Sequence, residues 1–209
     1  MKTALITGAS AGLGAEFARQ LANAGMDIVL VARRREKLEN LAARLRDDFG
    51  VTVTVLVADM TDPGAPAWLF AETRAAGLQI DFLVNNAGSE GPDLIKVRDW
   101  PRHDAYQRLM MTSVAAMCHE FIPAMLERGY GRVINVASVA GRLTVRDDYT
   151  YGPTKAYLIA LSKGLASAVK DRGVYIMALC PGFTHTEFQL SDKLTALTAA
   201  TPPFVWYDA

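Results

Sequence analysis

The chain has 209 residues, 51% hydrophobic and 21% charged, with 22 basic residues matched by 22 acidic ones. That length supports one sizeable core, and a formal net charge of zero excludes the basic footprint of a non-specific nucleic-acid binder. Two cysteines make no disulfide framework and fit a reducing cytoplasm; the scattered histidines offer no metal-ligand spacing, and no apolar run is long enough for a bilayer span.

Apolar runs of strand length alternate with helical stretches from the first residues. Ala4-Leu5-Ile6 reads as a buried strand, and Thr7-Gly8-Ala9-Ser10 breaks it too early for a signal peptide, so the expected location is cytoplasmic. A helix follows from Gly12 to Ala24, a second strand at Ile28–Val31 and a charged amphipathic helix at Glu36–Phe49. Strands at Val51–Val57 and Phe82–Val84 flank a helix at Ala65–Ala76. A long helix is expected over Asp104–Glu127, a fifth strand at Arg132–Val136, a helix at Tyr151–Asp171 and a sixth strand at Val174–Leu179. Nearly continuous apolar strands, each followed by a helix, predict a doubly wound parallel sheet of the Rossmann-like α/β class, three layers deep. One domain over residues 1–209 is expected. The final Phe204-Val205-Trp206-Tyr207 is sticky for a terminus, as though a further helix and strand should follow.

The polar motifs fall just after predicted strands, where such sheets bind ligands. Glycines 8, 12 and 14 in Thr7-Gly8-Ala9-Ser10-Ala11-Gly12-Leu13-Gly14 follow a strand and open a helix. Gly8 suits the tight turn, Gly12 close approach of a pyrophosphate and Gly14 tight helix packing, with the helix N-terminus meeting the phosphate charge. A purely structural glycine turn is the competing reading. Ala32 stands where a carboxylate would bind a ribose 2′-OH, and Arg33 follows it, which suits a 2′-phosphate and hence NADP(H) rather than NAD(H). Arg35 reads as a solvated helix start. Asp59 suits either an adenine amino group or a helix cap, and Asn85-Asn86-Ala87-Gly88 either a turn or backbone passing beside a flat ring.

Ser138 ends strand five, where a hydroxyl can donate to an oxygen developing charge. Tyr151 and Lys155, four residues apart, share a helix face. An isolated phenol titrates near ~10, and a neighbouring ammonium lowers that value. Alone, the pair reads more readily as a packed ring and a solvated lysine. Pro181-Gly182 and Thr186 follow strand six, with Thr186 within reach of a bound cofactor.

In this order over residues 3–188, the glycine turn, Asn-Asn-Ala-Gly, Ser138, Tyr151-x-x-x-Lys155 and Pro181-Gly182 resemble the short-chain dehydrogenase/reductase family. The resemblance implies an NAD(P)-dependent enzyme interconverting a carbonyl and an alcohol. Tyr151 would be the general acid/base and Ser138 would polarise the substrate oxygen. Lys155 would hold the nicotinamide ribose and lower the phenol pKa. The implied cofactor contacts are Gly8, Ser10, Gly12, Leu13, Gly14, Arg33, Asp59, Asn86, Ala87, Gly88, Tyr151, Lys155, Pro181, Gly182 and Thr186. It further implies a small-molecule substrate, no nucleic-acid or membrane partner, and a homodimer or homotetramer built on the long helices.

Three departures stand out. Met110 occupies the slot where the family often places an Asn that holds a relay water behind the lysine. Ala11 replaces a common basic residue in the glycine turn, and the family's last helix and strand are missing. A missing strand would expose a sheet edge. A catalytically weak NADP(H)-binding or partner-binding protein of the same fold is the alternative, although such a protein has no need of Tyr151. Leu190, Leu194 and Leu197 suggest an apolar lid over the substrate or, equally, an ordinary surface helix.

Overall fold

The computed structural model describes residues 1–143, 148–185 and 206–208. Six parallel strands form the central sheet: β1 (Thr3–Thr7), β2 (Asp27–Ala32), β3 (Val53–Val57), β4 (Ile80–Asn85), β5 (Gly131–Val136) and β6 (Val174–Leu179). Their order is β3-β2-β1-β4-β5-β6. The direction of winding reverses between β1 and β4, so the crevice of this Rossmann-like sheet opens at the carboxyl ends of those two strands.

The helices cover both faces because strand side chains alternate. On β1, Ala4 and Ile6 point to one face, where α1 (Gly12–Asn23) and α2 (Arg35–Phe49) supply Ala18, Ala22, Leu38 and Leu45. Leu5 points to the other face, against Leu69 of α3 (Ala65–Ala75) and Met117, Phe121 and Met125 further along the chain. The last three lie on the longest helical stretch, which runs through α4 (Trp100–Gln107), a π-helical turn (Arg108–Thr112) and α5 (Ser113–Arg128). Residues 100–128 are long and apolar enough to meet the length and composition of a membrane span, which the sequence reading did not anticipate. Their apolarity has a local use: Val114, Met117, Cys118, Phe121, Ile122 and Met125 are all buried. Each large side chain so buried contributes about 1.5–3 kcal/mol relative to exposure.

α6 (Tyr151–Ala168) packs beside β5 and β6, burying Leu158 and Ile159. Among the described residues β6 is the last strand of the sheet; its Val174 and Ile176 are buried, while Tyr175 and Met177 are exposed. The Arg132 guanidinium stacks on the Tyr175 ring at 4.3 Å and lies 4.6 Å from the Tyr130 ring. A short parallel pair, β7 (Phe183–His185) with β8 (Trp206–Asp208), was not expected; Trp206 packs on Phe183 with ring centroids 5.2 Å apart.

Candidate active site

The turn after β1 is built by close backbone contact. Gly8 has φ +68, and a Cβ there would stand 2.8 Å from the Ala87 Cα. A Cβ on Gly14 would stand 2.3 Å from the Gly8 carbonyl oxygen, so α1 reaches β1 only with glycine at that position. Thr7 clamps the turn to the end of β4: its Oγ1 accepts from the Asn86 and Ala87 amides at 3.0 and 3.1 Å. The Asn86 amide donates to the carbonyls of Thr7 and Gly8 at 3.0 and 3.3 Å. The Asn-Asn-Ala-Gly strand end and the glycine turn therefore form one unit. Asn85 looks inward instead, donating to Asn135 Oδ1 at 2.8 Å, and Asn135 donates to Ser162 of α6 at 2.9 Å. At the start of α1, Ala11 supplies no capping side chain and Gly12 has φ +53. The first-turn N–H groups and Leu13 beside them thus face the turn, an arrangement suited to an anion.

Basic side chains gather beside this turn. Arg34, not Arg33, reaches back to it, donating through Nε and a terminal nitrogen to Ser10 Oγ at 3.2 and 2.9 Å. Arg33 lies 3.7 Å from Asp59 Oδ2, both exposed. Asp59 also accepts from the Thr61 amide and hydroxyl at 2.9 Å each, which is turn chemistry at the end of β3.

Across the crevice, α6 begins at Tyr151. Pro153 then falls in the first turn, where no intrahelical N–H donor is required. Ser138 opens a short 3₁₀ turn (Val139–Arg142), accepting from the Ala140 amide at 3.2 Å, and hydrogen-bonds to the Tyr151 phenol. Lys155 is 5% exposed; its ammonium donates to the Val136 carbonyl at 2.7 Å and lies 5.5 Å from the Tyr151 ring centroid. Gly141 allows the 3₁₀ turn to close on α6, since a Cβ there would meet the Lys155 carbonyl carbon at 2.6 Å. The structure thus brings Ser138, Tyr151 and Lys155 together.

The electrostatics differ from expectation. Burial pushes the Tyr151 phenol above its ordinary value; the bond to Ser138 opposes this and the charge of Asp148 adds to it. The net direction is upward, with desolvation of the phenol the largest cause, rather than the lowering expected from Lys155. Burial also lowers the Lys155 ammonium to about 8, opposed by the nearby Cys180.

Three neighbours went unnoticed in the sequence. Asp148 accepts from the Gly152 amide at 2.8 Å, next to the phenol-bearing residue. Tyr106 of α4 is buried, its hydroxyl 3.3 Å from Thr154 Oγ1, and burial raises its phenol too. Glu90, in the loop after β4, has a buried Oε1 without a hydrogen-bond partner, and its charge adds to the Tyr106 shift. An aspartate three residues before a helix start was the only local signal for any of them. Met110 is buried on the π-helical turn; its Sδ accepts from the Ser89 amide at 3.4 Å and would lie 3.3 Å from a Cβ on Gly88. A thioether therefore fills the slot in which the resemblance leads one to expect an amide.

Pro181 joins this edge, its carbonyl accepting from the Val139 amide at 3.0 Å. Gly182 is exposed beside the Tyr207 ring. Thr186 and the suggested lid leucines, Leu190, Leu194 and Leu197, lie outside the described residues.

This arrangement has close counterparts. The family model described as short chain dehydrogenase matches residues 2–195. A very-long-chain 3-oxoacyl-CoA reductase from Anas platyrhynchos is 32% identical over 91% of this chain, which spans 62% of that protein's length. The 3-oxoacyl-(acyl-carrier-protein) reductase of Escherichia coli is 33% identical over 97% of the chain and 82% of its own. Among solved structures, a Sphingobium yanoikuyae short-chain dehydrogenase in complex with NADPH superimposes with a TM-score of 0.84 at 36% identity, covering 90% of this chain and 74% of that one. The L-sorbose reductase of Gluconobacter frateurii, complexed with NADPH and L-sorbose, gives 0.86 at 27% identity over 99% and 84%.

Proposed function

This chain belongs to the short-chain dehydrogenase/reductase family, and from that premise we propose that it is an NADP(H)-dependent oxidoreductase interconverting a small-molecule carbonyl and its alcohol, with Tyr151 as general acid/base. The observation that carries the reading is the convergence of Ser138, Tyr151 and Lys155 after β5 and at the start of α6, at the carboxyl edge of the sheet.

The residues present fit a dinucleotide. Only glycine fits at positions 8 and 14, and the backbone bend at Gly12 leaves the helix N-terminus open to a pyrophosphate. Ser10 and Arg34, with Arg33 beside them, would hold a 2′-phosphate, and Ala32 presents no carboxylate to repel it. Lys155, Ala87, Gly88, Pro181 and Gly182 would flank the nicotinamide end; when bound, the nicotinamide supplies or accepts the hydride. In reduction, Ser138 donates a hydrogen bond to the substrate oxygen while Tyr151 gives that oxygen its proton. In oxidation Tyr151 takes the proton back. Buried phenol and ammonium lie near enough for Lys155 to stabilise the phenolate as it forms.

The two relatives described as 3-oxoacyl reductases support a carbonyl as the reducible group. A catalytically weak binder of the same fold remains a second reading, favoured by Met110, whose thioether offers no hydroxyl or amide to a proton relay. Parallel assays of a panel of ketones with NADPH and NADH, and of alcohols with NADP⁺ and NAD⁺, separate them. The expected result is turnover with preference for NADPH. Preference for NADH overturns the assignment of Arg33, Arg34 and Ser10; tight NADPH binding without oxidation across the panel supports the binder.

A further inference from the structure

Among the described residues, the Ser138, Tyr151 and Lys155 set leaves the charged neighbour Asp148 unused. Asp148 stands just before α6 and accepts from the Gly152 amide at 2.8 Å, one residue beyond Tyr151. This closeness is built in on both sides: a Cβ at Gly152 would lie 2.8 Å from Asp148 Oδ2 and 3.0 Å from the Ala140 carbonyl. The carboxylate, the 3₁₀ turn that begins at Ser138 and the first turn of α6 therefore meet at Gly152, next to the residue that bears the phenol.

We propose that Asp148 is a positioning residue of the site, its carboxylate anchoring the first turn of α6 and setting a negative charge beside the residue that bears the phenol. The proposal rests on the acid/base reading of Tyr151. A fixed negative charge beside a buried phenol opposes loss of its proton, in the same direction as the burial. Lys155 lies on the same helix face, with Cys180 near its ammonium; Ser138 hydrogen-bonds the phenol; Tyr106 couples to it from α4, with Glu90 behind. Among the described residues of this set Lys155 is the one cation, and Asp148 carries the opposite charge. In reduction the phenol O–H breaks, the proton goes to the substrate oxygen and the electron pair stays on the phenolate. Burial already holds that proton at neutral pH, and the Asp148 charge adds to the cost of the phenolate left behind.

Asp148→Asn separates the two roles, since the amide oxygen still accepts from Gly152 but carries no charge; Asp148→Ala removes both. Protein labelled with carbon-13 at the tyrosine ring Cζ is titrated upward until the fold is lost, with the Tyr151 signal assigned by its disappearance in Tyr151→Phe. Both Asp148 variants are expected to ionise Tyr151 at least about half a pH unit lower than the unmutated protein. A signal that is neutral throughout in the unmutated protein and ionises in Asp148→Asn counts as that shift. Thermal stability is expected to fall in Asp148→Ala and to be retained in Asp148→Asn. An unchanged or raised midpoint in Asp148→Asn, or a signal neutral throughout in both, overturns the proposal and leaves Asp148 a helix cap only. Turnover measured on Tyr151→Phe is a separate outcome: activity retained there removes the acid/base reading itself, whatever the titration shows.

Discussion

At the residue scale, the sequence does not tell which arginine meets the glycine turn. Three consecutive arginines look alike in a string, but the backbone at the end of β2 turns Arg34 toward Ser10 and leaves Arg33 beside Asp59. Only the fold decides which of them meets the glycine turn. With a charge-assisted contact to phosphate worth about 1.5–3 kcal/mol, Arg34→Ala should weaken NADPH binding by roughly 10- to 100-fold and leave NADH binding almost unchanged. Equal losses for both cofactors, in a fluorescence titration, would show that Arg34 does not read the 2′-phosphate. Lys155 carries a pH signature of its own. Its ammonium is lowered to about 8 from an ordinary 10.5, so between those values the unfolded chain binds more protons than the folded one. Stability therefore rises with pH across that window, and below it burial of the charge costs about 3 kcal/mol. Without added cofactor, Lys155→Met should stabilise the protein at pH 7 by about 1–3 kcal/mol, a gain that fades as pH approaches 10. Urea unfolding at several pH values checks it; a variant less stable than its parent at pH 7 would contradict it.

At the element scale, the starts of α1 and α6 and the extent of β6 were legible, because glycine turns and apolar runs mark them directly. The start of α4 was not placed well: it begins at Trp100 rather than Asp104, since Asp99 caps it by accepting from the Arg102 amide and Pro101 sits in its first turn. The π-helical turn carries no local signature at all; it arises where Met110 packs against the end of β4. Two glycines show how context sets the sign of one substitution. Gly14→Ala drives a Cβ into the Gly8 carbonyl and should destabilise by more than about 2 kcal/mol while weakening cofactor binding. Gly164 in α6 has open space around it, and Gly164→Ala should stabilise by about 0.5–1 kcal/mol through helix propensity alone. Denaturant midpoints of the two variants moving in the same direction would refute this contrast.

At the scale of the whole molecule, most of the architecture followed from alternation: six apolar strands with intervening helices admit few topologies, and the observed order is the doubly wound one. What alternation could not supply was distance. Asp148, Tyr106 and Glu90 come from a loop before α6, from α4 and from the loop after β4, and meet only because those segments converge at one edge of the sheet. The direction of the Tyr151 shift was missed for a related reason. Helical spacing revealed the lysine beside the phenol, but burial is a property of the folded chain. Everything proposed for this site depends on that phenol exchanging a proton with substrate. Tyr151→Phe keeps the ring and removes only the hydroxyl, so steady-state turnover of the best substrate pair and NADPH affinity should be measured on the same preparation. A loss in kcat of about 10²- to 10⁴-fold with NADPH binding unchanged is the predicted result; a kcat within a few-fold of the unmutated protein would contradict it.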